Sequence, residues 1–549
     1  MAEEGFDVLV LGTGAAGLTA AIAAHEHGAK VGVLEKSDRV GGTTAWSGGM
    51  IWIPNTPHQK AAGRSDSREE ALTYIGALSN GLISEDLAAA YVDAGPEMVR
   101  FLEERTPVSF YCVADFPDYH PEVPGGKAEG GRTLECPPFS YHELGEWAAR
   151  VEVSPYFPDI HIAIGETTLG QPVPVPMPPE VKQRRIAEDE RGLGHALIGR
   201  LLKGCLDRGI EPLTGHRAVE LILSNGRVTG VRVEHEGGER VIAARNVVIA
   251  TGGFEWNERF VRAFLRGPLT HPVSVPTNTG DGLVMAMKAG AMLGNMREAW
   301  WQTSVVVPDT LVSTGRQIIS SARGLPGAII VNRAGRRFMN EAANYNAVGA
   351  AMQEQDTASG TYRNLPCWVV FDQRYFDRYG FAGGMKDGLN GGTASAPDWI
   401  TAAETLDGLA LKLGIPAGAL DETVARFNAH VEAGHDADFQ RGESAHDRWW
   451  GDPAWKGQKR ATLGPIGPGP WYAVEMLPSG LGTKGGPQTD AEGRVMHLDG
   501  QPIEGLYAAG NAMASPFGMT YGGAGGTIGP AMVFGFLAGR HAARHNARA

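Results

Sequence analysis

Cysteine is scarce in this chain. Four stand far apart in 549 residues: Cys112, Cys136, Cys205 and Cys367. No CxxC pair and no Cys/His cluster gives zinc or an iron–sulfur centre its ligands, so no metal is expected. Dispersed thiols of this kind suit a reducing, cytoplasmic setting. Runs of Lys and Arg are missing too, and the formal net charge is −13. Nucleic-acid binding rests on cationic contacts to phosphate, so nucleic acid is excluded as a partner. No stretch approaches the roughly 18 uninterrupted apolar residues of a membrane-spanning helix. The Met1-Ala2-Glu3-Glu4 start has neither a basic nor an apolar leader region, so no signal peptide is expected. No transmembrane segment is expected, while peripheral contact with a membrane stays open. No segment recurs at a fixed period, which removes solenoids and propellers.

What is present is a globular composition, 43% hydrophobic and 20% charged, in a chain too long for one ordinary domain. Two domains, one interrupting the other, are expected. Glycine is abundant, at 76 residues, and gathers in short motifs towards the two ends of the chain. Clusters of this kind mark close approach of backbone to a large ligand.

The first such motif fixes the opening fold. Phe6 to Leu11 reads as a buried strand, Gly12-Thr13-Gly14-Ala15-Ala16-Gly17 as a GxGxxG turn, Leu18 to His27 as a tightly packed helix, and Val31 to Leu34 as a second strand ending on Glu35. This is the βαβ order of a dinucleotide-binding unit. Gly12 suits the tight turn, Gly14 the approach of a pyrophosphate, and Gly17 close packing of helix on strand. The helix start, at Ala15 and Ala16, presents free N–H groups to the phosphates. Glu35 is placed to accept from ribose hydroxyls and to repel a 2′-phosphate, which disfavours NADP.

Directly after Glu35 and Lys36 comes a loop of small residues, Gly41-Gly42-Thr43-Thr44-Ala45-Trp46-Ser47-Gly48-Gly49. A plain NAD dehydrogenase has no use for it. Its form resembles the flavoprotein family of fumarate reductases and 3-ketosteroid dehydrogenases, in which such a loop wraps FAD from ribose to isoalloxazine. The resemblance implies FAD as cofactor, with Gly42, Thr43, Thr44, Ala45, Ser47, Gly48 and Gly49 against it.

Further along, Arg68 to Arg105 has helical periodicity, and Phe110 to Pro138 and Pro155 to Pro179 read as irregular. A helix opens near Gly192. A hairpin follows over Ala218–Ile222 and Val228–Val233 about Asn225-Gly226, then a parallel strand at Asn246–Ile249 running into Ala250-Thr251-Gly252-Gly253-Phe254. Ala218, Val219, Ala250, Thr251, Gly252 and Asp281 are expected at the nucleotide. Composition changes after Trp300-Trp301, and the chain returns with a strand ending at Gly510-Asn511. The expected fold class is α/β: a discontinuous Rossmann-like FAD-binding domain, residues 1–302 and 477–549, carrying an inserted α+β catalytic domain, 303–476.

Three further stretches sharpen the resemblance to the 3-ketosteroid dehydrogenases, most closely the Δ1 type. They are Asp118-Tyr119-His120-Pro121-Glu122, Arg337-Phe338-Met339-Asn340-Glu341 with Tyr345 just after, and Ala508-Ala509-Gly510-Asn511 followed by Thr520-Tyr521-Gly522-Gly523-Ala524-Gly525-Gly526-Thr527-Ile528-Gly529-Pro530. Placing a double bond beside a ketone requires loss of a proton from the α-carbon and a hydride from the β-carbon. Donors must polarise the ketone oxygen and a base must reach the α-hydrogen. The resemblance implies that Tyr521 and the N–H of Gly525 hold the ketone, that Tyr345 takes the proton from carbon 2, and that Tyr119 eases its deprotonation. Unaided, a phenol of pKa about 10 is a poor base. Gly526, Thr527 and Ile528 would lie against the flavin at the start of the last helix. The implied substrate is a 3-oxosteroid, with a quinone or another electron acceptor reoxidising the flavin. The chain departs from the family at Gly522, where proline is usual, and this is expected to loosen the turn. A 3-oxo-5α-steroid 4-dehydrogenase is the nearest alternative. A fumarate-reductase-like enone reductase would need a cationic clamp, for which Arg132 and Arg323 are the candidates.

Overall fold

The computed structural model describes residues 5–157, 159–173, 175–381 and 397–546. Met1–Glu4, on which the reading about a leader rests, lie outside the described residues.

Strand β1 (Phe6–Leu11) is apolar throughout except for Asp7 and forms the centre of a parallel sheet. It pairs with β2 (Val31–Leu34) on one side and with the strand Gly238–Ile249 on the other, and Pro502–Ala508 extends the sheet beyond that. The register sets Leu34, Leu11, Ile249 and Ala508 side by side. All four strands therefore end at one edge, and Glu35, Gly12, Ala250 and Ala509 follow there together. This is where an open α/β sheet binds its ligand.

Helix α1 (Ala15–Glu26) is almost all Ala, Gly, Leu and Ile, and is buried along most of its length. A helix so small in side chain can pack very closely. The final helix, Ile528–Asn546, lies against it, with Gly535 and Gly539 over the carbonyls of Ala16 and Ala20, where no Cβ would fit. Two helices, Arg68–Ser79 and Glu85–Arg105, fill the stretch of helical periodicity. The Gly238–Ile249 strand is longer than its sequence signal. Its first half pairs antiparallel with Arg227–His235, and only its second half joins the parallel sheet.

A second sheet, antiparallel and six-stranded, runs in the order Arg316–Ile318, Ala299–Val306, Trp471–Thr483, Cys367–Asp372, Ala328–Asn332, with Thr401–Ala403 also on Trp471–Thr483. The expected boundaries after 302 and after 476 both fall inside strands of this sheet. The Trp300-Trp301 pair read as the end of the nucleotide domain is already part of the second sheet, its two indoles buried on opposite sides of their strand, Trp300 against Tyr521 and Trp301 among Phe254, Leu265 and Leu269.

Candidate active site

A cleft of about 480 Å³ starts at the common strand edge of the parallel sheet and runs to the six-stranded sheet. At its first end the wall is largely main chain. Gly12 holds φ at +108°, which a side chain would resist, and a Cβ there would overlap the Ala250 carbonyl. A Cβ at Gly14, by contrast, would meet only Thr44 Oγ1 at 3.8 Å, so the backbone is open to the cleft. Ala15 N–H donates to Thr44 Oγ1 (3.3 Å). Glu35 lines the cleft and accepts from Thr13 N (3.1 Å), Thr13 Oγ1 (2.6 Å) and Ser37 N (3.0 Å). Lys36 reaches Thr279 Oγ1 (2.7 Å) and Asp281 (3.1 Å), and Arg217 clamps Asp281 from the other side. An open main chain at a helix N-terminus, followed by an acid, fits the diphosphate and ribose of a dinucleotide.

Most of the sequence-predicted cofactor residues line this cleft: Gly12, Gly14, Ala15, Ala16, Glu35, Lys36, Gly42, Thr43, Thr44, Ser47, Gly48, Gly49, Ala218, Ala250, Thr251, Gly252, Asp281, Gly510, Asn511, Thr527 and Ile528. Four do not. Gly17 faces the turn, where a Cβ would overlap the Gly12 carbonyl. Ala45 is wholly buried on the far side of its short helix. Val219 sits at a break in strand register between Ala218 and Glu220 and does not line the cleft. Gly526 lies under the Tyr521 ring, 2.9 Å from where its Cβ would stand.

At the other end, three tyrosines from distant parts of the chain converge. Tyr119 donates to Tyr345 Oη at 3.0 Å, and Tyr521 Oη accepts from Thr527 Oγ1 at 2.8 Å. Ring centroids are 5.4 Å apart for Tyr119 and Tyr345, 5.2 Å for Tyr119 and Tyr521, and 5.4 Å for Tyr345 and Tyr521. All three are buried and line the cleft. Burial, first of all, raises each phenol above its ordinary pKa. Gly525 also lines the cleft, at φ +94°, with the Ile51 backbone where a Cβ would go.

The surroundings explain why these residues meet. Asn344 caps the short helix Tyr345–Ala351 by accepting from Ala347 N (3.0 Å), and its amide nitrogen reaches Tyr119 O (3.4 Å) and His120 Nε2 (3.1 Å). One cap thus ties the Tyr345 helix to the Tyr119 segment. Behind the helix is a buried ionic cage. Arg337 grips Glu341 (both bonds 2.7 Å) and Asp436 (3.0 and 2.8 Å), and Arg441 reaches Glu341 at 3.2 Å. Asp118, beside Tyr119, accepts from Trp52 Nε1 (2.7 Å), Arg132 Nη1 (2.8 Å) and Lys127 N (3.0 Å). The Gly522 carbonyl accepts from Tyr119 N (3.0 Å) and Tyr74 Oη (2.7 Å). The turn expected to be loosened at Gly522 is therefore pinned at that residue by two hydrogen bonds.

Neither arginine of the alternative clamp reaches the cleft. Arg132 is spent on Asp66 and Asp118, and Arg323 on the carbonyls of Glu341 and Ala343. Among the described residues, His430, Asp436 and Asp438 are close enough to share a cation. Their carboxylates are already paired with Arg337 and Arg426. Among the described residues no helix is long and apolar enough to cross a membrane.

Sequence reasoning missed several wall residues. Tyr156, Phe157, Ile164 and Leu169 come from the Pro-rich segment that gave no periodic signal. Asn278, whose amide bridges Thr43 Oγ1 (3.1 Å) and Glu255 (2.7 Å), was visible only as an isolated loop residue. Trp450 lies on a six-residue helix, too short to announce itself.

Residues 7–528 match the family model described as an FAD binding domain. The chain is 41% identical to the 4-oxocyclohexanecarboxylate 2-dehydrogenase of Sinomonas cyclohexanicum, over 97% of this chain and 92% of that one. It is 40% identical to the 3-oxosteroid 1-dehydrogenase of Mycobacterium tuberculosis, over 99% of each. Among solved structures it resembles 3-ketosteroid Δ1-dehydrogenase from Sterolibacterium denitrificans in complex with 1,4-androstadiene-3,17-dione, with a TM-score of 0.86 and 34% identity, over 98% of this chain and 99% of that one.

Proposed function

This chain belongs to the FAD-dependent 3-ketosteroid dehydrogenase family, and from that premise we propose that it introduces the 1,2 double bond into 3-oxosteroids. The observation that carries this reading is the convergence of Tyr119, Tyr345 and Tyr521 in one buried corner of the cofactor cleft, with Gly525 beside them. Tyr521 Oη and Gly525 N–H hold the ketone oxygen, where negative charge gathers as the α-proton leaves. Neutral donors do this without burying a cation against an apolar ligand. Thr527, donating to Tyr521 Oη, leaves the phenol proton free to point at that oxygen. Tyr345 receives the proton from carbon 2, and Tyr119, hydrogen-bonded to it, eases its deprotonation and relays the proton. FAD, when bound, supplies the acceptor for the hydride from carbon 1. Buried walls around the three phenols keep water from the reacting carbons. We place the electron acceptor among the quinones or other acceptors, the reaction in the cytoplasm, and the substrate domain at residues 303–476.

The similarity to a 4-oxocyclohexanecarboxylate dehydrogenase favours a second reading, the same desaturation on a small keto acid. A carboxylate needs a cation. The basic side chains among the described residues of the cleft wall, Lys36 and His216, both stand at the nucleotide end. The rest of the wall includes Met50, Tyr156, Phe157, Ile318, Ile319 and Trp450 with the neutral Gln302 and Gln317, and suits an uncharged fused ring system better than a carboxylate. Anaerobic incubation with 4-androstene-3,17-dione decides between them. The expected outcome is bleaching of the flavin and a product unsaturated between carbons 1 and 2. No bleaching with the steroid, but bleaching with 4-oxocyclohexanecarboxylate, would replace the first reading by the second.

A further inference from the structure

The proton taken from the substrate needs somewhere to go. Tyr345 and Tyr119 are sealed from solvent, and burial holds both phenols protonated at neutral pH. A phenol that is already protonated accepts a proton only if it passes its own along. The next group must be more basic than phenol under these conditions, neutral, and in contact with Tyr119.

His446 meets that description. Its ring packs edge-on against the Tyr119 ring, with centroids 5.2 Å apart and planes at 79°, and stacks on Trp450 at 5.6 Å. It is 2% exposed, and neither ring nitrogen has a hydrogen-bond partner among the described residues. Buried polar groups are nearly always paired, and two orphaned nitrogens on an imidazole packed against the Tyr119 ring mark a group kept free for use. Charges face it from every side. Asp447, on its own short helix, stands 4.0 Å from Nδ1, beyond hydrogen-bond reach, and is itself spent on Asn340 Nδ2 (2.8 Å) and Gly442 N (2.9 Å). Arg323 opposes protonation from the Ala322–Gly324 turn, His120 lies within electrostatic reach on the Tyr119 segment, and Glu122 favours protonation from that same segment. Burial outweighs the two carboxylates and holds the imidazole below its ordinary pKa, hence neutral. Glu122 is exposed and accepts from Ala445 N at 3.0 Å, directly before His446 in the chain.

We propose that His446 is the terminal proton acceptor of the site, drawing the substrate proton out through the Tyr345–Tyr119 hydroxyl pair and releasing it to solvent past Glu122. The proposal rests on the desaturase reading. Tyr119 donates to Tyr345 in the resting site, so its hydroxyl first turns towards the imidazole and Tyr345 turns to donate to it. The carbon 2 proton then moves to Tyr345 Oη as the Tyr345 proton moves to Tyr119 Oη. The Tyr119 proton then moves to an imidazole nitrogen, through one bridging water because the ring meets Tyr119 edge-on. Enolate and imidazolium result, the two tyrosines end as they began, and the imidazolium later loses its proton to bulk water. His446 touches neither substrate nor cofactor in this scheme and acts through Tyr119.

The test is exchange of the substrate α-hydrogen with deuterium in D₂O, followed by mass spectrometry on the FAD-bound enzyme under anaerobic conditions with 4-androstene-3,17-dione. His446→Phe keeps the ring packing on Tyr119 and Trp450 but cannot titrate, and is expected to slow exchange by about 10²-fold, the low end of general-base contributions. The sign of the pH effect follows from the chemistry: only neutral imidazole accepts. Wild-type exchange should therefore fall as pH drops through a value below 6.5, and His446→Phe should lose that limb. Variant exchange at the wild-type rate with the same acidic limb would overturn the proposal. If the variant binds no FAD, the wild-type profile still decides: a rate flat on acidification to the limit of folding overturns it. Failure of the desaturase reading looks different, since wild type would then neither exchange nor bleach with the steroid.

Discussion

One end of the cleft, at the Gly12 turn, is walled by backbone, while the other, at the three tyrosines, is walled by side chains. The first wall is a turn, Gly12 to Gly17, whose shape is set by what cannot be added to it: a Cβ at Gly12 or at Gly17 would overlap a carbonyl. The second is three phenols from positions 119, 345 and 521, each movable in principle and each held by its own support. Backbone walls bind and tolerate little change. Side-chain walls react, and can lose an atom without losing their shape. The two ends should therefore fail differently, the first through folding and cofactor retention and the second through turnover and ketone binding with the flavin kept.

The largest effect is expected from Gly17→Val. Nothing flexible stands opposite Gly17, only the Gly12 carbonyl and the Val10 side chain. Relief requires helix α1 to leave the strand, at a cost of about 3 kcal/mol or more, the top of the overpacking range. Loss of bound flavin from the purified protein, together with a lower Tm, is the expected result. Full flavin content at wild-type Tm would break the comparison at its backbone end.

Tyr345→Phe is the counterpart at the other end. It removes one oxygen from a buried ring and leaves the packing with Tyr119, Tyr521 and Trp450. The expected loss in kcat is about 10²- to 10⁴-fold, the range for a positioned base, with flavin content and Tm kept. Near-normal turnover would remove Tyr345 from the chemistry. Tyr521→Phe ranks next. One oxyanion donor is lost and Gly525 N–H remains, so the drop in kcat is about 10²- to 10³-fold, with a raised KM for the steroid. An unchanged KM and kcat would show that the ketone does not bind there.

The same difference explains what the chain revealed before its structure was known. Gly12, Gly14 and Glu35 act within a span of 24 residues, so local order alone announces strand, turn, helix and acid. The sheet edge and most of the cofactor wall were legible for that reason. Tyr119, Tyr345 and Tyr521 carry no local pattern, and only the resemblance of their flanking motifs singled them out. The Arg337 to Glu341 motif was used as a marker for Tyr345. The structure shows its physical role, a buried cage in which Arg337 and Arg441 balance Glu341 and Asp436 behind the Tyr345 helix. His446 and Trp450 were not legible at all, because they lie on six residues of helix whose importance is purely one of placement. Which sheet each of two strands belongs to was hidden for a related reason. Ala299–Val306 and Trp471–Thr483 are apolar strands like any other, and only their pairing with each other shows which sheet they belong to.

The smallest effect on turnover is expected from Glu35→Ala, and it tests whether side chains at the backbone end matter on their own account. Glu35 holds Thr13 through both its N–H and its hydroxyl and holds Ser37 N–H as well, so its carboxylate braces the turn as much as it faces the cleft. Removing it takes away a charge-assisted acceptor for the ribose and slackens Thr13, while Gly12 and Gly17 still fix the path of the chain. FAD should bind about tenfold more weakly, equivalent to roughly 1.4 kcal/mol, as read by titrating the apoprotein and following flavin fluorescence. With FAD in excess, kcat and steroid KM should match wild type, since the supports of the three tyrosines run through Asn344, Asp118 and the Gly522 carbonyl and never through Glu35. A fall in kcat at saturating FAD would mean that the two ends are mechanically coupled and that the turn sets the geometry of the phenols.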